Sequence, residues 1–362
     1  MSGTPTTRIR VLVVDDSALV RQAISEALAR DPALEVVGTA CDPYVAREKI
    51  AQFDPDVLTL DLEMPRMDGL TFLRILMEHH PLPVVVVSSL TQQGSQAAVD
   101  AIEAGAVDVL AKPDGTMSIG TLADKLAFHV KAAAAAAPRL RKPAALQAAP
   151  PLILGQAGGT DPRQIIVIGA STGGVEALRQ IVPRFPTGFP PVAIVQHISA
   201  FFSRAVAERL AAMSGIRVRE ARDNEPLRPG ECVIAPGDFH LAVDFRSGGY
   251  HTRLLQTPPI HHCRPAVDVL FRSAAEAAGR HAVAVLLTGM GSDGAVGMQA
   301  IRAAGGTTIA QDEATSVVYG MPRAAVELGV VDQVAALDAI PGAIASALTS
   351  HAPGGRAGNR SP

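Results

Sequence analysis

A serine stands on a glycine-rich turn in the segment VIGASTGGVEAL, which runs from Val167 to Leu178. Apolar residues precede the turn and an amphipathic segment follows it, so the pattern predicts a strand, a tight turn and a helix. Gly169 to Gly173 match the spacing G-x-S-x-G, in which small neighbours leave room for an exposed nucleophile. Amides at the start of the following helix would stabilise an oxyanion beside Ser171.

A glycine-rich turn could instead cradle a phosphate. The nucleotide-binding P-loop pattern ends in Gly-Lys-Ser/Thr, whereas Val175 and Glu176 follow Gly174 here. The dinucleotide pattern G-x-G-x-x-G also fails, because Ser171 occupies the place of its second glycine. The turn alone therefore leaves open whether it holds a nucleophile or binds a phosphate, and residues elsewhere in the chain are needed to distinguish the two.

A serine nucleophile needs a base, and the base needs a group that orients it. The strand pattern PVAIVQH ends in His197, and AVAVLLTGMGSDGA leads from another strand to Asp293 at the start of a helix. Because parallel strands bring their carboxyl ends to one edge, we expect Ser171, His197 and Asp293 to meet there. Each partner alone also fits a structural role, as a strand-end histidine or a helix-capping aspartate. Their order along the chain is not the Ser, Asp, His order of α/β-hydrolases, which argues against that fold.

A second cluster of polar residues follows strand patterns near the N-terminus. Each of its members stands where an apolar run ends: Asp15 and Asp16, Asp61, Ser88, and Lys112. Carboxylates that share one sheet edge repel each other, and a hard divalent cation such as Mg²⁺ relieves that repulsion. Lys112 and Ser88 could then hold an incoming phosphoryl group, one by charge and the other by a hydrogen bond.

Alternating strand and helix patterns explain how both clusters are positioned. They predict two α/β domains, each built on a doubly wound parallel sheet. In the second, the runs GECVIAPGDFHLAVDF and GGYHTRLLQT predict inserted β-hairpins at an edge. An Ala- and Pro-rich linker separates the domains, and a disordered tail closes the chain. The predicted boundaries are 8–128 for the first domain, 129–163 for the linker, 164–350 for the second domain and 351–362 for the tail.

Composition excludes several classes of protein. The net charge is −3 and aromatic residues make up 4%, which argues against nucleic-acid binding. No apolar run reaches the roughly 18 residues of a membrane helix, and the N-terminus lacks a signal-peptide pattern, so we expect no membrane insertion. The three cysteines, Cys41, Cys232 and Cys263, are far apart and favour the reducing cytoplasm as the location.

The segment HHCRP, residues 261–265, raises the possibility of a metal site. Adjacent histidines on a strand point to opposite faces, so His261 and His262 are not expected to share an ion. A substrate contact by His262 or Arg264 at a pocket rim stays open, and the role of His261 is undetermined. Cys263 is a weaker nucleophile candidate than Ser171 because no motif surrounds it. Two other histidines, His240 and His251, are predicted at the surface.

The first cluster, DD, D, S and KP at successive strand ends, resembles the receiver domain of two-component response regulators. The resemblance implies a flavodoxin-like fold, with Asp61 as the phosphoacceptor. It also implies that Asp15, Asp16, Asp61 and the backbone carbonyl of Glu63 hold Mg²⁺. Many receivers carry an aromatic switch residue three positions before the lysine, where this chain has Val109. An aromatic rotamer switch is therefore not expected.

The motifs IGASTGG, QH, LTGMGSDGA and YGMP together resemble the chemotaxis-specific protein-glutamate methylesterase family, CheB. The resemblance implies a Rossmann-like domain that hydrolyses glutamate methyl esters on chemoreceptors, releases methanol and deamidates receptor glutamines. Ser171 would attack, His197 would carry the proton and Asp293 would orient the imidazole. We place the oxyanion near the backbone amides of Thr172 and Met290. No cofactor is expected for this esterase chemistry.

A receiver joined to a hydrolase suggests that phosphorylation controls catalysis in chemotaxis adaptation. The resemblance implies methyl-accepting chemotaxis receptors as substrates and the chemotaxis histidine kinase as phosphodonor. Two other functions stay open: a response regulator that acts only by binding, as a scaffold at receptor arrays, and a general serine hydrolase for small esters. A DNA-binding output is disfavoured, because residues 164–350 contain no basic helix-turn-helix pattern.

Overall fold

A computed structural model describes residues 8–89, 91–112, 119–137 and 161–350. The chain divides into two compact units, residues 1–145 and 146–362. Most of the predicted linker, residues 138–160, and the predicted tail, residues 351–362, lie outside the described residues. Within the described part of the chain, no helix is both long enough and apolar enough to span a membrane.

The first unit is a five-stranded parallel sheet in the order β2-β1-β3-β4-β5. Its central strands are buried on both faces, which explains their continuous apolar runs. The sheet order and the alternation with helices confirm the predicted flavodoxin-like arrangement. The strands are β1 (Ile9–Val14), β2 (Leu34–Ala40), β3 (Val57–Leu60), β4 (Val84–Ser88) and β5 (Asp108–Ala111).

Five helices cover this sheet. They are α1 (Ala18–Leu28), α2 (Pro43–Phe53), α3 (Gly69–His79), α4 (Gln92–Glu103) and α5 (Ile119–Ala136). A capping side chain that accepts a first-turn amide precedes each of the first four: Ser17, Asp42, Asp68 and Thr91. Helix α5 continues past residue 128 through the alanine run, because alanine has the highest helix propensity.

The second unit has a seven-stranded parallel sheet in the order β15-β14-β13-β6-β7-β10-β8. Its strands are β6 (Ile165–Ala170), β7 (Val192–Gln196), β8 (Arg217–Glu220), β10 (Glu231–Ile234), β13 (Ala282–Leu286), β14 (Thr307–Gln311) and β15 (Gln333–Ala335). Its helices are α6 (Gly174–Ile181), α7 (Ala200–Met213), α8 (Val267–Ala278), α9 (Ala295–Ala303), α10 (Met321–Glu327) and α11 (Ile340–Ser350). The prediction of a second doubly wound parallel-sheet domain is confirmed.

A small antiparallel sheet is inserted in this unit. Strands β11 (His240–Arg246) and β12 (Gly249–Leu255) form a hairpin, and β9 (Pro226–Leu227) pairs with β12. The predicted hairpin region included the run GECVI, but that run is β10, a parallel strand between β7 and β8. All four residues of β10 are buried, which suits the interior of a sheet and not an exposed hairpin.

Strands β13, β6 and β7 are neighbours in the sheet. Gly169 near the end of β6 pairs with Leu286 on one side and Val195 on the other. The segments that leave these three strands therefore begin at the same edge. This adjacency brings together the three motifs that the sequence places after separate strands.

Candidate active site

Ser171 directly follows β6 and is almost completely buried. Its amide donates to the carbonyl of Thr288 at 3.0 Å, and its carbonyl accepts from the amide of Gly174 at 2.7 Å. Gly173 has a φ of +77°, and a Cβ there would lie 2.5 Å from Cβ of Val317, so only glycine completes this turn. No described residue hydrogen-bonds to the Ser171 hydroxyl. The turn therefore fixes the backbone of the serine and leaves its oxygen unengaged.

His197 follows β7 next to this turn. Its amide donates to the carbonyl of Ala170 at 3.0 Å, which ties the histidine to the residue before Ser171. The ring Nε2 lies 2.8 Å from Oδ2 of Asp293, and the ring Nδ1 lies 3.6 Å from Sγ of Cys263. The structure thus brings His197 and Asp293 into direct contact at the edge that carries Ser171.

Asp293 is held by more than the histidine. Its carboxylate accepts the amide of Val267 at 2.7 Å and the amide of Asp268 at 2.9 Å, so it caps α8 and not α9, the helix that it precedes in sequence. Burial raises the pKa of the Asp293 carboxyl, but the hydrogen bonds from His197 and the two amides outweigh burial and lower it. The carboxylate is therefore ionised and fixed in position.

Asp268 caps α9 in the same way that Asp293 caps α8. Its Oδ1 accepts the amide of Gly294 at 3.0 Å and that of Gly297 at 2.6 Å. The helices α8 and α9 thus exchange capping carboxylates, and the exchange fixes the loop that carries Asp293. Asp268 was not among the residues predicted for the site, although an acidic residue in the first turn of a helix is a recognisable capping signal.

The charge state of His197 depends on its neighbours. Burial lowers the pKa of the imidazole, whereas the Cys263 sulfur and the Asp293 carboxylate raise it, and the net shift is upward. A raised pKa stabilises the imidazolium that forms when the ring accepts a proton. The Asp293 carboxylate can therefore support proton transfer to His197.

The motif after β13 forms a wall beside the serine. A Cβ on Gly289 would lie 2.6 Å from Cβ of Ser171 and 2.4 Å from Sδ of Met321. The Gly289 amide donates to Val318 and its carbonyl accepts the Met321 amide at 2.8 Å, so the YGMP segment is joined directly to this wall. The Gly289 amide is already hydrogen-bonded to Val318. No described backbone carbonyl accepts from the next amide, that of Met290, so this amide is the one that the turn can donate to an oxyanion.

Thr172, the other residue predicted beside the oxyanion, is buried. Its carbonyl accepts the Thr288 hydroxyl at 3.0 Å. This bond joins the segment after β6 to the segment after β13 directly behind the serine. The oxyanion assignment to Thr172 and Met290 stays a prediction.

The HHCRP segment is a turn and not a strand. Ile260 and Cys263 exchange backbone hydrogen bonds of 3.0 and 2.8 Å, while His261 and His262 both have a positive φ, 51° and 61°. The alternation of a strand therefore does not apply to these histidines, and the prediction that they lie on a strand was wrong. His261 Nε2 lies 3.3 Å from Oδ2 of Asp268, and His262 is exposed.

Three other residues of this region have definite surroundings. Arg264 donates to the Thr257 carbonyl at 3.2 Å. His240 is fully buried, so the prediction that it lies at the surface was wrong. Both of its ring nitrogens have partners, the Ala266 amide and the Pro258 carbonyl, which makes burial of the imidazole possible. His251 is half-buried.

The carboxylate cluster of the first unit lies where β1, β3 and β5 end. Carboxylate oxygens of Asp15, Asp16 and Asp61 lie within 4.8 Å of one another. Lys112 Nζ bridges Oδ2 of Asp15 at 2.9 Å and Oδ2 of Asp61 at 2.7 Å. Burial raises the pKa of Asp61, Lys112 lowers it and Asp15 raises it, to a net value of about 6. One ammonium among three carboxylates leaves negative charge in excess, so the oxygen donors fit a divalent cation.

Other predicted residues of this cluster lie around it. Ser88 is buried at the end of β4, and its hydroxyl is 3.4 Å from the Gly94 carbonyl. The Glu63 amide donates to Asp61 Oδ1 at 3.2 Å, while the Glu63 side chain is directed to the Ser89 hydroxyl at 2.6 Å. Val109, at the position of the aromatic switch in many receivers, is buried.

Comparison with known proteins adds to this geometry. A family model described as CheB methylesterase matches residues 166–344, and one described as response regulator receiver domain matches residues 11–123. A protein-glutamate methylesterase/protein-glutamine glutaminase 2 of Syntrophus aciditrophicus is 47% identical over 92% of this chain and 97% of the relative. A protein of the same name from Pseudomonas aeruginosa is 49% identical over 97% of this chain and 99% of the relative.

A solved structure resembles the second unit. The catalytic domain of Thermotoga maritima CheB methylesterase superimposes with a TM-score of 0.50 and 41% sequence identity. The match covers 51% of this chain and 97% of that domain. The two family models therefore match separate parts of the chain, and the relatives match nearly all of it.

Proposed function

The chain belongs to the CheB methylesterase family and carries a response regulator receiver domain before the esterase domain, and from this premise we propose how its residues act. It hydrolyses the methyl esters of receptor glutamates to glutamate and methanol, and it deamidates receptor glutamines, in chemotaxis adaptation. The observation that supports the assignment of the site is the contact of 2.8 Å between His197 and Asp293 at the strand edge occupied by Ser171.

The first half of the reaction forms an acyl-enzyme. The Ser171 oxygen attacks the γ-carbonyl carbon of the methylated glutamate while His197 accepts the hydroxyl proton. The imidazolium that results is stabilised by Asp293, and it donates the proton to the methoxide oxygen, which leaves as methanol. Because Nε2 is held by Asp293, Nδ1 is the nitrogen that must serve the serine.

The second half releases the carboxylate. His197 accepts a proton from water, the hydroxide oxygen attacks the acyl carbon, and the proton returns to the Ser171 oxygen as the acyl bond breaks. On a glutamine substrate the leaving group of the first half is ammonia, and the second half is the same. Amides of Thr172 and Met290 would donate to the oxyanion in both halves, and loss of one such donor costs about 10²–10³ in rate.

The receiver controls this esterase in our proposal. Asp61 accepts a phosphoryl group from the chemotaxis histidine kinase, while Lys112 and Ser88 bind the phosphoryl oxygens. Asp15, Asp16, Asp61 and the Glu63 carbonyl would hold Mg²⁺. A bound Mg²⁺ supplies charge neutralisation at the phosphoryl oxygens. The three cysteines are free, which supports the cytoplasm as the place of action.

Methanol release from a methylated receptor cytoplasmic fragment tests the esterase assignment. We expect Ser171→Ala to abolish release while its circular dichroism spectrum and thermal unfolding stay those of the parent. Equal release from both proteins would mean that the nucleophile lies elsewhere. Release by neither would favour the scaffold function, and hydrolysis of small esters without the receptor fragment would favour a general esterase.

A further inference from the structure

The sulfur of Cys263 has no part in the hydrolysis, yet it lies 3.6 Å from Nδ1 of His197. The turn from Ile260 to Cys263 presents this sulfur through its two backbone hydrogen bonds. Cys263 is partly exposed to solvent, whereas Cys232 is buried inside β10. The pair of Cys263 and His197 therefore combines a soft sulfur ligand with an imidazole nitrogen, and its cysteine is partly exposed.

We propose that Cys263 Sγ and His197 Nδ1 form a binding site for a thiophilic divalent cation, Zn²⁺ above all, and that occupancy of this site inhibits the esterase. Zinc bonds of about 2.3 Å to sulfur and about 2.1 Å to nitrogen, at a tetrahedral angle, separate the two ligand atoms by about 3.6 Å. The observed separation is 3.6 Å. The two atoms are thus already at the separation of two ligands on one zinc ion.

The opposite side of the ring supports the same conclusion. Ligand histidines commonly donate their other ring N–H to a carboxylate, which fixes the ring and raises the basicity of the ligating nitrogen. His197 Nε2 is 2.8 Å from Asp293 Oδ2, and Asp293 is itself fixed by the amides of Val267 and Asp268. The carboxylate and the histidine therefore reproduce the carboxylate–histidine pair seen behind many zinc ions, although Cys263 and His197 supply two protein ligands where catalytic zinc sites have three.

A neighbouring cluster is a poorer candidate for an ion. Ligand atoms of His261, Asp268 and Asp293 also lie within 4.8 Å of one another. However, both carboxylates already accept backbone amides at the starts of α8 and α9. Their charge is compensated by the helices, so they act as caps.

Inhibition follows from the nitrogen that the ion would occupy. Binding releases to solvent the thiol proton and any proton on Nδ1, and it consumes the lone pair that accepts the Ser171 proton. With two protein ligands, one fewer than in catalytic zinc sites, and the other positions left to water, we expect weak and therefore reversible binding. The binding site is independent of the proposed function, whereas the inhibition rests on it.

Two readouts test binding and inhibition separately in the full-length protein. Excess Mg²⁺ is present throughout, so that it occupies the carboxylates of the receiver domain and keeps Co²⁺ and Zn²⁺ away from them. Co²⁺ reports binding by its thiolate charge-transfer absorption, and Zn²⁺ reports inhibition of methanol release. We expect both signals in the parent and in the control Cys41→Ser, which removes an exposed cysteine of the first unit. In Cys263→Ser the absorption should be lost, and the Zn²⁺ concentration for half-inhibition, measured against the variant's own zinc-free rate, should rise at least tenfold.

The outcomes separate the two parts of the proposal. An unchanged zinc response in Cys263→Ser, or no thiolate absorption in the parent, overturns the metal site. A thiolate band without inhibition overturns the inhibition alone. Ser171→Ala should keep the cobalt band, so that a failure of the esterase assignment leaves the metal test intact.

Discussion

One added methyl group at Gly289 should disable the esterase through the position of Ser171. Gly289 has no positive φ, so alanine is compatible with the backbone there. The new Cβ would lie 2.6 Å from Cβ of Ser171 and 2.4 Å from Sδ of Met321, whereas ordinary contacts begin at 3.4 Å. The Ser171 turn must therefore move by about 1 Å, and a misplacement of this size costs about 10²-fold in rate.

A hundredfold loss corresponds to about 2.7 kcal/mol of transition-state stabilisation. Overpacking should also lower the free energy of unfolding by about 1–3 kcal/mol. We expect kcat for methanol release to fall while the variant remains folded at the assay temperature, which thermal unfolding checks. Gly188→Ala is the matched control, because a Cβ there meets nothing within 4 Å. Parental kcat in Gly289→Ala would refute the inference that this wall sets the position of the serine.

Three further changes test the supporting groups. Asp268→Ala removes the acceptor for the amides of Gly294 and Gly297, so it should cost about 1–2 kcal/mol of stability by thermal unfolding. Asp268→Asn, which keeps one oxygen, should recover part of that stability. Asp61→Asn should lose stimulation of methanol release by a small-molecule phosphodonor, and full stimulation would exclude Asp61 as the phosphoacceptor. The pKa of Asp61 is raised to about 6, so its protonation below that pH should weaken Mg²⁺ binding measured by calorimetry; an affinity that stays constant from about pH 7 to 5 would contradict this.

The sheets and their functional edges could be predicted from the sequence for a simple physical reason. Parallel strands buried on both faces need continuous apolar runs, and the strands built on such runs end directly before Asp15, Asp61, Ser171 and His197. The rule that ligands meet at the carboxyl edge then placed Asp15 beside Asp61 in the first unit, and Ser171 beside His197 in the second, without any knowledge of the strand order. The order itself decides which pairs touch, and it came only from the structure.

The sequence did not reveal two features next to His197, namely the turn that carries Cys263 and the capping of α8 by Asp293. The turn from Ile260 to Cys263 needs two residues with positive φ, a conformation typical of Asn and Gly, and it has two histidines there. The prolines Pro258, Pro259 and Pro265 were local signals of a turn that the prediction did not use, and the contact of His261 with Asp268 adds tertiary support. The capping of α8 by Asp293 was equally hidden, because a cap was expected only for the helix that follows it.

The partners of His197 explain why the serine hydroxyl stands alone. Asp293 holds Nε2 and the Cys263 sulfur faces Nδ1, so neither nitrogen bonds to the Ser171 hydroxyl. A thiol is a weak hydrogen-bond partner, so exchanging it for the serine hydroxyl costs little when substrate binds. Catalytic hydrogen bonds often tighten only in the complex with substrate, and here the weak sulfur contact permits that step. A metal–nitrogen bond in the same gap would not yield to a hydroxyl, and this difference makes position 263 a place where the esterase could be switched off without a change of fold.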